Sequence, residues 1–354
     1  MRILIVADAP SMHTRRWVHA WLARGHEVHV ASFRAFDLQG AVVHKLPDAG
    51  LGKLGYFAAI PVLRRLAAQL HPDIAHAHYV TNYGFLAAAA GLHPLVVTAW
   101  GTDLLISPWQ SRIYRHLARY ALAKADRITT VAEHMNQRVV DLGGSPETVK
   151  AMPFGVDTDM FAFHPRNFAG PDRLWRIICT RNFEPIYDVA TLIEAASLLR
   201  RRGRDFSLTL VGDGTLNADY QKLAAELGIS DRLTFTGWVE RERLPALLGE
   251  ADIFVTPARS DGNNVSLNEA MAVGCFPVGT DIPANAQWLV SGRNGFLYPV
   301  GDAAALADIL ILSMEHPEML DAAVIANRQI VEARANWRRS VVQMEALFEE
   351  LCAQ

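Results

Sequence analysis

Asp261 and Glu269 are two carboxylates eight positions apart, and the residues between them change from turn types to an apolar helical pattern. Carboxylates repel phosphate, so their natural partners are hydroxyls. Ser260 to Asn264, with Gly262 and Asn263 inside, are turn and N-cap types; Val265, Ser266 and Leu267 then open a run to Val273 with apolar residues at helical spacing and Gly274 as its stop. A helix N-terminus offers N–H groups and about half a positive charge, which suits phosphate. Together these demands describe a ligand with a diphosphate in the middle and hydroxyl-rich rings at both ends, a nucleotide-sugar. The same pattern fits any strand-loop-helix unit with an acidic first turn, so on its own it leaves both readings open.

The elements that must position these groups follow from the rest of the chain. Asp252 to Pro257 (DIFVTP) reads as a buried parallel strand feeding the loop. At 354 residues two domains are expected, since single cores rarely grow beyond about 250–300 residues. Hydrophobic residues make up 51%, charged ones 20%, and the net charge is −3, so no basic field points to nucleic acid. Cys179, Cys275 and Cys352 are odd in number and far apart, which argues for reduced thiols. MRILIVADAP is a strand pattern and not a signal peptide, giving the expectation of a cytoplasmic protein. Phe85 to Trp100, the longest weakly polar run, falls short of the ~20 apolar residues of a membrane span, so any membrane contact would be peripheral.

Arg2–Val6, a helix over Thr14–Arg24 and Glu27–Ala31 make a βαβ opening, but the loop from Ala7 to His13 lacks G-x-G-x-x-G. His13 and Arg16 stand at the helix start, suited to an acceptor or phosphate, or simply to a cap and a solvated arginine. His76 and His78 share one face of a strand by the period of two, yet a metal site needs a third ligand. Leu104, Leu105, Ile106, Pro108 and Trp109, followed by Arg112, Arg115, His116 and Arg119 at helical spacing, form an apolar patch beside a basic face of the kind that can rest on anionic lipid.

Asp261-x7-Glu269 followed by Ala270 to Val278 (AMAVGCFPV) resembles the donor-site signature of family-4 retaining glycosyltransferases, E-x7-E followed by A-M-A-x-G-x-P-V, with Asp in place of the first Glu. The resemblance implies that Asp261 lies by the transferred sugar, the amides of about Asn264 to Leu267 on the diphosphate, and Glu269 on the ribose hydroxyls. Arg181 matches the arginine of an R-x(4 or 5)-K-G pair aimed at the diphosphate, with Tyr187 where the lysine would be. Gly212-Asp213-Gly214 is similar to the family's G-x-G turn, where glycine lets the backbone approach a ligand. Gly237-Trp238-Val239 resembles the segment that reads the base, with Trp238 flanking it. On the acceptor side, Trp100-Gly101-Thr102-Asp103 stands where many members have H-G-x-D, so Gly101 and Asp103 match while Trp100 replaces the histidine. His78 falls in a D-x-x-H-x-H stretch that edges the family's cleft. Pro153 to Phe161 resembles P-N-G-V-D-x-x-x-F at the domain crossing, with Phe154 for Asn.

The fold implied is α/β, of GT-B type: two Rossmann-like doubly wound parallel-sheet domains facing across a cleft. Residues 1–162 would form the acceptor domain, 163–173 a linker, 174–335 the donor domain, and 336–354 a helix crossing back. The function implied is metal-independent, retaining transfer of a sugar from a UDP- or GDP-sugar to a hydroxyl of a saccharide or lipid-linked acceptor at the inner membrane face. No cofactor is expected, and no D-x-D stands in a metal-binding loop. An epimerase or phosphorylase on the same fold is one rival. A binding protein that has lost catalysis is another, prompted by Trp100, Tyr187 and Asp261.

Overall fold

A computed structural model describes residues 1–48, 55–168, 170 and 173–353. Of the linker expected over 163–173, positions 169, 171 and 172 lie outside the described residues, as does the last residue of the terminal segment. The chain divides into two compact units, Met1–Pro153 with Arg339–Gln354, and Phe154–Arg338.

In the first unit β1 (Arg2–Val6), β2 (Glu27–Ser32), β3 (Val42–Lys45), β4 (Ile74–His78), β5 (Leu95–Ala99), β6 (Arg127–Thr130) and β7 (Val149–Ala151) form one parallel sheet in the order β3-β2-β1-β4-β5-β6-β7. Parallel strands are covered on both faces and so run apolar without alternation. Ile3 to Val6 and Leu95 to Val97 are fully buried. Residues from Arg339 on belong to this unit: the Phe348 ring lies 5.2 Å from that of Trp21, and Glu345 pairs with Arg24 and, at 2.8 Å, with His26.

In the second unit β8 (Trp175–Cys179), β9 (Phe206–Val211), β10 (Leu233–Gly237), β11 (Ile253–Thr256), β12 (Phe276–Thr280) and β13 (Phe296–Tyr298) form a parallel sheet in the order β10-β9-β8-β11-β12-β13. The helix Val265–Val273 is not the one-faced helix its spacing suggests. Every residue from Leu267 to Val273 is buried, so it is an interior helix, apolar nearly all round. Truncating a core ring such as Phe254, fully buried in this helix's cluster, would cost about 3–5 kcal/mol.

Both units are therefore doubly wound α/β, as expected. In each, the strand order reverses beside one central strand: between β1 and β4 in the first, between β8 and β11 in the second. Open α/β sheets bind ligands outside the carboxyl ends of strands at such a reversal. The Leu104–Trp109 patch departs from expectation, because Leu104 and Pro108 are buried in the first unit and Trp109 is left with Arg115 and Arg138 over its ring. Among the described residues no helix is long and apolar enough to cross a membrane.

Candidate active site

In the second unit β11 leads through a polar loop into the helix Val265–Val273, whose N-cap is Asn264. This side chain is fully buried and fully used. Its Oδ1 accepts from Leu267 N–H (3.1 Å) and from Arg181 (3.0 Å), and its Nδ2 donates to Thr256 Oγ1 and Asn285 Oδ1, each at 2.9 Å. The polar atoms of the Asn264 side chain are thus committed within the protein. The amide of Val265 donates to Asn263 O (2.8 Å), so two of the four amides from Asn264 to Leu267 are bonded within the protein.

Arg181, just beyond β8, reaches the same loop. Its guanidinium donates to Asp261 Oδ2 at 2.6 Å and lies over the Tyr187 ring, 4.2 Å from the centroid. Burial pulls the arginine's pKa down, but the Asp261 carboxylate and Tyr187 outweigh it and the net direction is upward, so the group stays a cation. Tyr187 does not restore the lysine's charge; it seats the arginine that remains. Arg259, a second cation on this loop, is held by Asp188 at 2.9 Å.

Glu269, 5% exposed, pairs with Arg241 at 2.8 Å, and Arg241 in turn lies over the Phe161 ring. Sequence reasoning missed Arg241, which sits in the short turn Arg241–Arg243 and matches no motif. A signal existed: a carboxylate inside an otherwise apolar helix calls for a buried cation, and the basic turn after Trp238 could supply one.

The glycines at this site sit against the protein's own backbone. A Cβ on Gly212 would stand 2.5 Å from Arg181 O, and one on Gly214 would stand 2.6 Å from Phe183 O. These glycines let two loops of the protein approach each other, and so fix where Arg181 begins. Gly262 and Asn263 are buried in the loop, Asn263 Oδ1 accepting from Trp288 Nε1 at 3.1 Å, while Ser266 is half-buried in the helix's first turn. Trp238, on the loop after β10, is 67% exposed.

The first unit holds a cavity of about 630 Å³ outside the carboxyl ends of β1, β2, β4 and β5. His13, His78 and Trp100 line it. His13 stacks on Trp100 with ring centroids 4.3 Å apart, and His78 meets Trp100 edge-on. Arg16, Gly101 and Asp103 do not line this cavity. Asp103 is buried and accepts from the amides of Trp100 (3.1 Å), Gly101 (2.8 Å) and Val80 (2.8 Å), so it holds the loop that presents Trp100. Burial pushes its carboxyl pKa up. Phe33, Tyr56, Tyr83 and the Asp8–Arg34 pair were not found from sequence, although a strand-order reversal at β1 would have drawn attention to loops after β1 and β2. Deeper still, His76 lies in the core, T-shaped to His78. Among the described residues no three His, Cys, Asp or Glu side chains come together as a metal site.

Comparison with known proteins agrees with this geometry. A family model described as "Glycosyl transferases group 1" matches residues 162–330, and one described as "Glycosyl transferase 4-like" matches residues 2–132. A GDP-mannose-dependent alpha-(1-6)-phosphatidylinositol monomannoside mannosyltransferase of Mycolicibacterium smegmatis is 27% identical over 282 residues, 75% of this chain and 72% of that protein. An amylovoran biosynthesis glycosyltransferase of Erwinia amylovora is 26% identical over 314 residues, 85% of this chain and 77% of that one. Among solved structures, sucrose-phosphate synthase from Thermosynechococcus elongatus superposes with a TM-score of 0.84 at 17% identity, covering 100% of this chain and 99% of that one. Anabaena HepE in complex with UDP and glucose superposes with a TM-score of 0.82 at 19% identity, over 99% of this chain and 100% of that one.

Proposed function

The chain belongs to the group 1 glycosyl transferases, and from that premise we propose that it is a retaining, metal-independent enzyme acting from a UDP- or GDP-sugar on a hydroxyl of a saccharide or lipid-linked acceptor. The observation that carries this reading is the pair of arginine-held carboxylates at the strand reversal of the second unit, Arg181 on Asp261 and Arg241 on Glu269. Asp261 would hold hydroxyls of the transferred sugar and Glu269 those of the ribose, with Trp238 flanking the base. Arg181 and the amides of Asn264 and Ser266 would take the charge that develops on the leaving diphosphate, and donors aimed at such an oxyanion are each worth roughly 10²–10³ in rate.

Retention follows if the acceptor oxygen attacks on the face that the diphosphate leaves. The anomeric C–O bond to the diphosphate breaks, the bond to the acceptor oxygen forms, and the acceptor's proton passes to the departing phosphate oxygen. No side-chain base is then required, which fits Trp100 at the position of the family's histidine. Relatives whose names specify alpha linkages support this stereochemistry, and the names GDP-mannose and UDP support either nucleotide. Exposed Ile113 and Trp109 beside Arg112 and Arg119 support a peripheral contact with an anionic surface.

The test is turnover of UDP-glucose and of GDP-mannose by the full chain with excess EDTA, following nucleotide release and the anomer first formed by NMR. Release with EDTA present and an α product from the α donor are expected. Release that stops with EDTA ends the metal-independent reading, and a β product ends retention.

A further inference from the structure

We propose that the second unit holds a separate small-molecule site at the amino ends of its strands, and that it takes an α-amino acid with an aliphatic side chain, carboxylate on Arg166 and ammonium on Asp321. A cavity of about 220 Å³ lies between Phe163, Pro165 and Arg166 and the face of the helix Pro317–Arg334 that carries Asp321, Val324 and Ile325. Arg166 fixes its place in the fold. The guanidinium donates to Leu248 O at 2.7 Å and to Ala251 O, the carbonyls that close the helix Leu244–Glu250 just before β11. It also reaches Cys275 Sγ at 3.6 Å, just before β12. The loop of Asp261 leaves the opposite end of β11, so the two sites are distinct.

Two charged groups at this cavity have bonding capacity left over. With its two Nη atoms spent on carbonyls, Arg166 keeps a buried Nε that has no partner. Asp321 has no hydrogen-bond or ion-pair partner among the described residues, and its Oδ1 is buried. The two do not pair with each other either. A buried polar atom left so costs about 1–3 kcal/mol, and more when it is charged, so a ligand that meets both recovers that cost. The helix contributes its side and not its N-terminus: Asp321, Val324 and Ile325 stand at i, i+3 and i+4 beyond the first turn, where the backbone amides are spent inside the helix.

The lining selects the class of ligand. Beside Arg166, Asp321 and Asn167 it is apolar, with Phe163, Pro165, Val324 and Ile325 as walls. One N–H for an anion, one carboxylate for a cation and apolar walls between complement a zwitterion with an aliphatic side chain. A phosphate or a plain carboxylic acid would satisfy Arg166 but set a like charge beside Asp321, and an amine would do the reverse. A hexose brings more hydroxyls than these side chains can pair. Size points the same way. At about 220 Å³ the cavity is smaller than the roughly 300–1,000 Å³ of most ligand pockets and holds roughly seven waters' worth at about 30 Å³ each, the scale of valine or leucine.

Saturation-transfer NMR on the full chain tests this, with L-valine and L-leucine set against isopentylamine, isocaproate and glycerol at the same millimolar concentration. We expect at least one of the two amino acids to bind and each single-charge analogue to bind at least tenfold more weakly. Asp321→Asn should weaken the amino acid at least tenfold, the size of one hydrogen bond to a charged group. Arg166→Gln carries the same expectation, and Asp321→Asn decides alone if loss of the carbonyl contacts leaves Arg166→Gln without a cooperative melt. Ile325→Trp, at a position 54% exposed beside the cavity, should fill it and abolish binding with the melting midpoint kept. Binding of neither amino acid, equal or tighter binding of an analogue or of glycerol, or undiminished binding by Asp321→Asn or by Ile325→Trp overturns the proposal. None of these outcomes depends on the transferase reading, since the cavity shares no residue with the loop of Asp261 or with the cavity of the first unit.

Discussion

The two units bury polar groups in opposite ways. At the strand reversal of the first, histidines are carried neutral into the sheet: His76 Nε2 bonds Thr98 Oγ1 at 2.7 Å, which bonds Thr129 Oγ1 at 2.6 Å, and the buried Asp103 nearby is met by backbone amides. At the reversal of the second, buried charges are matched in pairs, Arg181 with Asp261 and Arg241 with Glu269. Neutral polar groups suit a hydroxyl-bearing ring, whereas preformed ion pairs suit a ligand that brings both anionic phosphate and hydroxyls. Such a ligand can exchange partners with each pair without leaving a charge alone. One fold used twice thus makes two kinds of pocket, and the difference lies in which residue types follow the same strands.

The sharpest way to break the contrast is Arg181→Ala. If the guanidinium takes charge from the leaving diphosphate, turnover should fall roughly 10²–10³-fold. Asp261, 16% exposed at its side chain, can rehydrate, so the melting midpoint should move far less than the rate implies. Steady-state rates beside a melting curve check this, and normal turnover would remove Arg181 from the chemistry.

Acid separates the units next. Folding holds His76 neutral down to about pH 3, while an unfolded histidine protonates near 6.5. Between these values the unfolded chain binds more protons, so the stability His76 contributes is complete above about pH 6.5 and declines as pH falls through the window. At pH 5 the deficit is about 2 kcal/mol for His76, and His78 shifts in the same direction. His76 and His78 both belong to the first unit. Calorimetry at pH 7.5 and 5, with mapped limited proteolysis, should show the first unit opening earlier in acid. Equal loss in both units would undo the contrast.

A milder perturbation is Arg241→Lys, which keeps a charge beside Glu269 but loses the planar fork. The Michaelis constant for donor should rise about tenfold, the size of one charge-assisted hydrogen bond, with kcat within about threefold. A fall in kcat alone would place Arg241 in the chemical step instead of in holding Glu269.

How much of this was legible before the coordinates depends on whether a feature is local. The strand-loop-helix unit of Ile253 to Gly274 was, because strand, N-cap and glycine stop lie within about twenty residues and each has its own chemistry: Asn264 caps and Gly274 terminates as read. The doubly wound sheets were too, since buried parallel strands announce themselves by unbroken apolar runs. What escaped is what long-range packing decides. Arg241 meets Glu269 across 28 positions, and Phe33, Tyr56 and Tyr83 converge from separate elements. Tyr79–Gly84 forms a π-helical turn, with Tyr79 at φ +69, and no propensity scale foretells it; yet this turn delivers Tyr79, Asn82 and Tyr83 to the cavity. Gly212 and Gly214 were visible as glycines, but only the fold shows that they make room for protein.

Trp238 gives the smallest expected effect and separates the functional reading from the structural one most cleanly. At 67% exposure it contributes little to the core, so Trp238→Ala should change stability by no more than about 0.5 kcal/mol. An indole stacked on a base is worth about 0.5–1.5 kcal/mol, so nucleoside diphosphate affinity should fall roughly two- to tenfold. Titration calorimetry with UDP and GDP reads this directly. The comparison of interest is internal: the first-unit cavity should be untouched, because every residue lining it belongs to the first unit. Unchanged nucleotide affinity would mean that the loop after β10 does not reach the base, and the exposed tryptophan would then need another partner.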